Sequence, residues 1–315
     1  MNCGQPQGKK LSIIGAGAVG TAAAHWAVAE KAADTVVLVD VVEGVPQGKA
    51  LDISQAAPLC GFTGRIVGTN DYDETAESDV VIITAGIARK PGMSRDDLLD
   101  TNVRIVRQVT EEVVTRSPDA CLVVVTNPID AMVYTVYKTS GLPRNRVVGM
   151  AGVLDSARYR TFIAQALGVA PEDVTALVMG IHGDHMLPLT RLASVGGVPL
   201  EALLPPEEIQ EIVRRTQHGG AEIVGHLKTG SAFTTPGLAA LQMARAILQD
   251  QKRVLPCAAF LEGEFGIRGL FLGVPVVLGR EGVERVLEFP LTDEERRHLQ
   301  LSVEAVQRQV AATGL

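Results

Sequence analysis

LSIIGAGAVGTAAAHWAVAEKAADTVVLVD, residues 11–40, carries the decision about the fold. Residues 11–14 are a short apolar run ending in glycine, which predicts a buried strand. Residues 18–31 predict a helix, and residues 35–39 a second buried strand that ends at Asp40. Strand, helix and strand within about thirty residues are the unit from which parallel sheets are built. The first strand runs directly into Gly15-Ala16-Gly17-Ala18-Val19-Gly20. Such a glycine pattern is weak alone, but here it follows a strand, opens a helix and precedes an acidic residue about twenty positions on. Gly15 permits the tight turn, Gly17 lets backbone approach a pyrophosphate, and Gly20 lets helix and strand pack closely. The helix N-terminus offers unpaired N–H groups and a positive dipole end to phosphates. Asp40 would accept hydrogen bonds from both adenosine ribose hydroxyls. Val41 and Val42 follow it, so a 2′-phosphate would meet a carboxylate and no arginine, which selects NAD over NADP.

Working outward, the alternation continues. Residues 80–84, 121–126 and 147–150 predict strands, and residues 96–116 a long helix. The expectation is a doubly wound parallel (Rossmann) sheet forming an NAD-binding domain over residues 1–150. Beyond it, helices are expected at 155–167, 206–216 and 239–251, and strands at 174–179, 189–193 and 271–278. Thr292 with Glu295 is a capping box opening a last helix, whose Leu299, Val303, Val306 and Val310 share one face. This half predicts an α+β catalytic and substrate domain over residues 151–315, joined to the first without a linker.

Composition narrows the function. The 315 residues suit about two domains, and 46% hydrophobic with 21% charged residues suits an ordinary globular core. A net charge of −7 with no basic block argues against nucleic acid as a partner. The four cysteines, Cys3, Cys60, Cys121 and Cys257, have no paired spacing and are expected as reduced cytoplasmic thiols. Lys9 and Lys10 before an apolar run give the outline of a signal peptide. His25, Trp26 and the glycine spacing argue against that reading, and against a membrane helix.

Four segments carry candidate chemistry. Arg89-Lys90-Pro91-Gly92-Met93-Ser94-Arg95 is a loop after the strand at 80–84, at the carboxyl edge of the sheet. Asn127-Pro128 ends the next strand at the same edge. Asp155-Ser156-Ala157-Arg158 opens a helix, and His182-Gly183-Asp184-His185 follows the strand at 174–179. Singly, each has a structural reading. Arg89 and Arg95 could be solvated loop charges. Asp155 could cap its helix with Arg158 paired three residues on, and His182 could be structural.

The segments GAGAVG, DVVEGVPQGKALD, TAGIARKPGMSRDDLL, TNPID, LDSARYR, GIHGDHMLPL, PCAAFLEGEFG and GVPVVLG together resemble the lactate/malate dehydrogenase family over essentially the whole chain. Within it they resemble the NAD-dependent malate dehydrogenases of the lactate-dehydrogenase-like branch. The resemblance implies reversible hydride transfer between (S)-malate and NAD, giving oxaloacetate and NADH, in a cytoplasmic homodimer or homotetramer. It implies His182 as acid and base, with Asp155 fixing its tautomer and stabilising its cation. Arg158 would clamp the substrate's C1 carboxylate through two hydrogen bonds. Arg95 would polarise the ketone, and Asn127 would bond near substrate and nicotinamide ribose. Arg89 is the selector, because the family has arginine there for a second carboxylate and typically glutamine for pyruvate. Left without a partner under a closed loop, that arginine would cost ~2–5 kcal/mol. Gly230, Ser231, Ala232 and Pro236 match the stretch facing substrate and nicotinamide. No metal is expected, since His182 and His185 lack a third ligand.

Two positions depart from the family pattern. Ile181 stands where glycine is usual and tolerates fewer backbone conformations. His185 stands where threonine or serine is usual, and would perturb His182 through like charge. Two other functions remain open on sequence alone: a dehydrogenase for lactate or another 2-hydroxy acid, and a silent NAD-binding redox sensor.

Overall fold

The computed structural model describes residues 8–88 and 94–315, apart from the side chain of Arg95. Six parallel strands form the first half: β1 (Lys10–Ile14), β2 (Thr35–Val39), β3 (Arg65–Thr69), β4 (Val80–Ile83), β5 (Cys121–Val124) and β6 (Val147–Gly149). Between them lie α1 (Ala18–Ala29), α2 (Val45–Cys60), α3 (Arg95–Arg116) and α4 (Ile129–Ser140). The strand order β3-β2-β1-β4-β5-β6 is that of a doubly wound dinucleotide-binding sheet. Strands β4 and β5 are buried along their whole length, which is why they are continuous apolar runs without alternation. The order reverses between β1 and β4, and the crevice at their carboxyl ends is where such sheets take ligands.

The second half begins with α5 (Gly152–Leu167), starting three residues earlier than the sequence suggested. The segment 174–179, expected as one strand, is split. β7 (Val174–Thr175) pairs with β10 (Ser194–Val195), and β8 (Val178–Met179) pairs with β9 (Leu187–Pro188). Residues 189–193 are not a strand. Pro188 ends β9, and Thr190–Leu192 form a 3-10 turn closed by Leu192 N–H to the Leu189 carbonyl. β11 (Val198–Pro199) completes the small sheet. Helix α6 (Pro206–Leu227) runs past residue 216 through Gly219 and Gly220, and α7 (Thr234–Leu248) begins before residue 239.

Long strands β12 (Arg253–Glu262) and β13 (Arg268–Gly279) and the short β14 (Gly282–Val286) then add antiparallel to the edge at β6. One nine-stranded sheet therefore crosses residue 150 without a break. The last helix, α8 (Asp293–Ala311), has the expected capping box. The Thr292 hydroxyl accepts from Glu295 N–H and the Glu295 carboxylate from Thr292 N–H. Its Leu299, Val303, Val306 and Val310 are buried together. A second capping box, Ser94 with Asp97, opens α3. Cys60, Cys121 and Cys257 are free thiols. Among the described residues, no helix is long and apolar enough to cross a membrane.

Candidate active site

The glycine loop sits at the carboxyl end of β1. Gly15 has φ +108°, and a Cβ there would fall 2.7 Å from Thr84 Oγ1 and 2.8 Å from Ala85 N. Both the dihedral and the contact demand glycine. Gly20 is excluded from carrying a side chain by the Gly15 carbonyl, 1.8 Å from an added Cβ. Gly17 differs: it precedes α1 with no side-chain cap, and an added Cβ meets nothing within 4 Å. The front of the α1 N-terminus is thus open, with unpaired N–H groups facing that space. Asp40 ends β2 beside it. Its Oδ2 accepts from Ala16 N–H at 2.7 Å and its Oδ1 from Val42 N–H at 3.0 Å. The carboxylate is pinned, yet each oxygen keeps a lone pair for a ribose hydroxyl. Val41 beside it is 85% exposed. An open helix N-terminus next to a fixed carboxylate fits a dinucleotide without a 2′-phosphate.

Farther along the crevice, β5 leads to Asn127, whose bond to Pro128 is cis. Asn102 of α3 holds this corner. Its Nδ2 donates to the Asn127 carbonyl at 2.7 Å and to the Ile87 carbonyl at 3.2 Å, while its Oδ1 accepts from Ile87 N–H at 2.8 Å. From the other side α5 presents Asp155, 2% exposed, and Arg158, 12% exposed. The chain after β8 brings in His182. Its Nδ1 lies 2.8 Å from Asp155 Oδ2. With the carboxylate accepting, Nδ1 carries the proton and Nε2 is the acceptor nitrogen. Arg158 Nη1 lies 3.4 Å from the other Asp155 oxygen. His182 and Asn127 line one cavity of about 90 Å³, with Met150, Leu154, Ser231, Ala232 and Pro236.

The two departures in sequence resolve locally. The left-handed turn before His182 is made by Gly180, at φ +85°, while Ile181 avoids positive φ and is buried in the core. Gly180 and Gly273 exchange backbone hydrogen bonds at 2.8 and 3.1 Å, so the turn is anchored to β13. His185 acts on another ring. Burial chiefly, and His185 next, lower the pKa of His298 of α8.

The charges around His182 set its chemistry. The Asp155 carboxylate raises its pKa above the ordinary histidine value, burial opposes this, and Arg158 lowers it while Asp130 raises it. An imidazole so held takes up a proton more readily than a free one, while burial and Arg158 keep it able to give the proton back, which suits exchange in both directions.

Sequence reasoning missed three parts of this site. Asn102 lies inside an ordinary amphipathic helix and is only recognisable once the turn at Asn127 is seen. Gly219 and Gly220 lie where α6 crosses Arg158, and Cβ atoms there would come within 3.3 Å of Arg158 Cδ and 3.7 Å of Nη2. Paired glycines in mid-helix were the available signal. The third is Asp130, which lies behind His182. Arg89 falls outside the described residues. Arg95 opens α3 directly behind the Ser94 cap, and its side chain is not described.

Comparison with known proteins gives concordant matches. The model for the lactate/malate dehydrogenase NAD binding domain matches residues 9–149, and that for the family's alpha/beta C-terminal domain matches residues 152–313. A malate dehydrogenase of Desulforudis audaxviator is 57% identical over 298 residues, covering 95% of this chain and 96% of its own. The crystal structure of Cryptosporidium parvum malate dehydrogenase superposes with a TM-score of 0.95 at 46% identity, covering 98% of this chain and 99% of that one. Lactate dehydrogenase from the same organism, complexed with lactic acid and nicotinamide adenine dinucleotide, gives 0.94 at 45% identity, covering 98% and 99%.

Proposed function

This chain belongs to the lactate/malate dehydrogenase family, and from that premise we propose that it oxidises (S)-malate to oxaloacetate with NAD and catalyses the reverse. The observation that carries the chemistry is the His182–Asp155 pair, 2.8 Å apart at a cavity shared with Asn127. In the oxidation, His182 Nε2 takes the hydroxyl proton of C2, and the imidazolium is stabilised by Asp155. In the reduction, the same proton returns to the ketone oxygen. NAD, when bound, would supply the hydride acceptor for C2 in the oxidation, and NADH the hydride donor in the reduction. Arg158 shares Asp155 with the imidazole, and turns its remaining donors to the substrate's C1 carboxylate as a planar fork. Arg95 stabilises the developing charge on the C2 oxygen. Asn127, fixed by Asn102, orients substrate and cofactor ribose. Gly15, Gly17, Gly20 and Asp40 hold the NAD. Residues 1–150 thus bind cofactor and residues 151–315 supply the acid/base pair and the C1 clamp.

Overall likeness does not choose between malate and lactate, since solved structures of both enzymes match almost equally well. Arg89 makes the choice, together with the malate dehydrogenase relatives at over 50% identity. A guanidinium there gains a partner in a dicarboxylate and is stranded by pyruvate. The test is NADH oxidation with oxaloacetate and pyruvate side by side, for wild type and Arg89→Gln. The expected result is strong wild-type preference for oxaloacetate, lowered ~30-fold or more by the substitution, the worth of one buried charge pair. Wild-type preference for pyruvate would move the chain to the lactate group. NADH binding without turnover of any 2-oxo acid would revive a silent sensor. The exposed Leu51 and Leu59 of α2 support a homo-oligomer, dimer or tetramer, which sedimentation reads directly; the cytoplasmic location rests on the family resemblance alone.

A further inference from the structure

Asp130 stands in the first turn of α4 and is 1% exposed. Its Oδ2 accepts from the backbone N–H of His182 at 3.4 Å. Its Oδ1 is buried and has no hydrogen-bond partner among the described residues. A buried carboxylate with one unsatisfied oxygen is expensive as an anion, and native structures rarely keep one without a use. The N-terminus of α4 favours the anion, whereas burial disfavours it. We propose that Asp130 is a positioning residue for His182, holding its backbone from behind and setting a buried carboxylate behind its ring. The inference rests on His182 being the acid/base.

Three groups face the imidazole. Asp155 and Arg158 come from α5, and Asp130 comes from α4. On Asp130 itself the acting groups are His182, from the loop after β8, and Asp155. Burial pushes the Asp130 carboxyl up to about 7, with the His182 charge pulling against it. Two neighbouring groups that attract each other when both are charged titrate as one coupled pair. Protonating the ring draws Asp130 toward its anion, and that anion in turn holds the proton on the ring. The backbone contact aims the ring at Asp155, and the charge sets how long the ring stays loaded as pH rises. Asp130 touches neither substrate nor cofactor in this scheme.

The experiment compares wild type, Asp130→Asn and Asp130→Ala without substrate, by proton NMR titration of the His182 ring. The resonance is assigned with His182→Asn. Asparagine keeps an oxygen for the His182 N–H and removes the charge. The expected result for Asp130→Asn is a titration midpoint lower by ~0.5 pH or more, with the acid limb of kcat/KM for malate oxidation moving the same way and NADH affinity retained. Asp130→Ala loses the anchor as well, and its kcat falls below that of Asp130→Asn while KM for NADH holds. An unmoved midpoint in Asp130→Asn overturns the proposal, whatever its melting temperature does. If Asp130→Asn fails to fold, the wild-type Asp130 carboxyl is followed by carbon NMR against the ring of His182. A single unperturbed titration in the ordinary aspartate range overturns the coupling. Failure of the underlying reading shows separately: His182→Asn would then keep turnover, a result independent of the ring's titration in the unsubstituted protein.

Discussion

Asp155 is the residue on which two functions converge. One oxygen receives the His182 ring and the other lies by Arg158, so a single buried carboxylate would align both the proposed acid/base and the proposed substrate clamp. Replacing it with asparagine keeps the shape and removes the charge. Malate oxidation and oxaloacetate reduction should both lose ~10²–10⁴-fold in kcat/KM, the scale of general acid/base catalysis. The pH dependence fixes the assignment. Asp155 is the foremost influence raising the His182 pKa, so Asp155→Asn should move the ring's titration to lower pH. Reduction needs the protonated ring and should then fail at lower pH than in wild type. Oxidation needs the neutral ring, and its residual activity should extend further into acid. The sign for stability agrees: a folded-state pKa above the unfolded value favours the fold at low pH. That contribution is lost as pH rises through the folded value, so Asp155→Asn should flatten that decline. Steady-state rates from pH 5 to 9 on both directions would reveal an unmoved profile, which would remove Asp155 from the role. At this scale the sequence was informative for residues with distinctive chemistry in distinctive places, such as His182, Asp155, Arg158 and Asp40. Asp130 was illegible, because its importance lies in a backbone contact 52 positions away.

At the scale of elements, the glycine loop separates binding from folding within six residues. Gly17→Ala places a methyl group in open space at the front of α1, where nothing in the protein opposes it. Its melting temperature should stay within about 1 °C of wild type, as an unopposed surface change costs well under 0.5 kcal/mol. NADH binding should weaken at least ~10-fold, since the methyl stands where backbone would meet pyrophosphate. Gly20→Ala drives a methyl into the Gly15 carbonyl and must separate α1 from its loop, so it should lose stability and binding together. Calorimetry of NADH binding beside thermal melts distinguishes the two, and equal melts would refute the division. The β-α-β start was legible because periodicity, glycine and acid agree there. Strand β12, unlike β13, was not read from its pattern, and it carries Pro256 in its middle as β13 carries Pro275. Pro256 lies opposite Pro275, so the donors missing from both fall at one rung of the ladder. Helix α2 went unread because its apolar residues follow no face: Leu51 and Leu59 are exposed, and Pro58 sits within it. The split of residues 174–179 depends on which distant strand each half meets, and a local pattern carries no record of that.

At the scale of the molecule, the two halves share more than an edge of sheet. Helix α7 crosses α1 closely, and a Cβ on Gly237 would come within 2.8 Å of Ala22 Cβ and Ala23 N. Arg245 of α7 pairs with Glu30, just beyond α1. The apolar core is continuous as well, joining Leu11, Ala23 and Ile82 with Met243, Cys257 and Leu272. Trp26, the only tryptophan, packs on that core from α1 and so reports on the crossing. Such interlocking predicts one cooperative unfolding unit, which matters for chemistry because Asn127 and His182 come from opposite halves. In denaturant, Trp26 fluorescence and far-UV circular dichroism should give coincident midpoints. Gly237→Leu should lower both midpoints together, by the ~1–3 kcal/mol of an overpacked contact. It should also shift Trp26 emission in the native state and depress turnover with oxaloacetate, as α7 carries the Pro236 wall of the cavity away from Asn127. Two separated transitions in the wild type would mean that the halves fold independently and that the continuous sheet does not couple them.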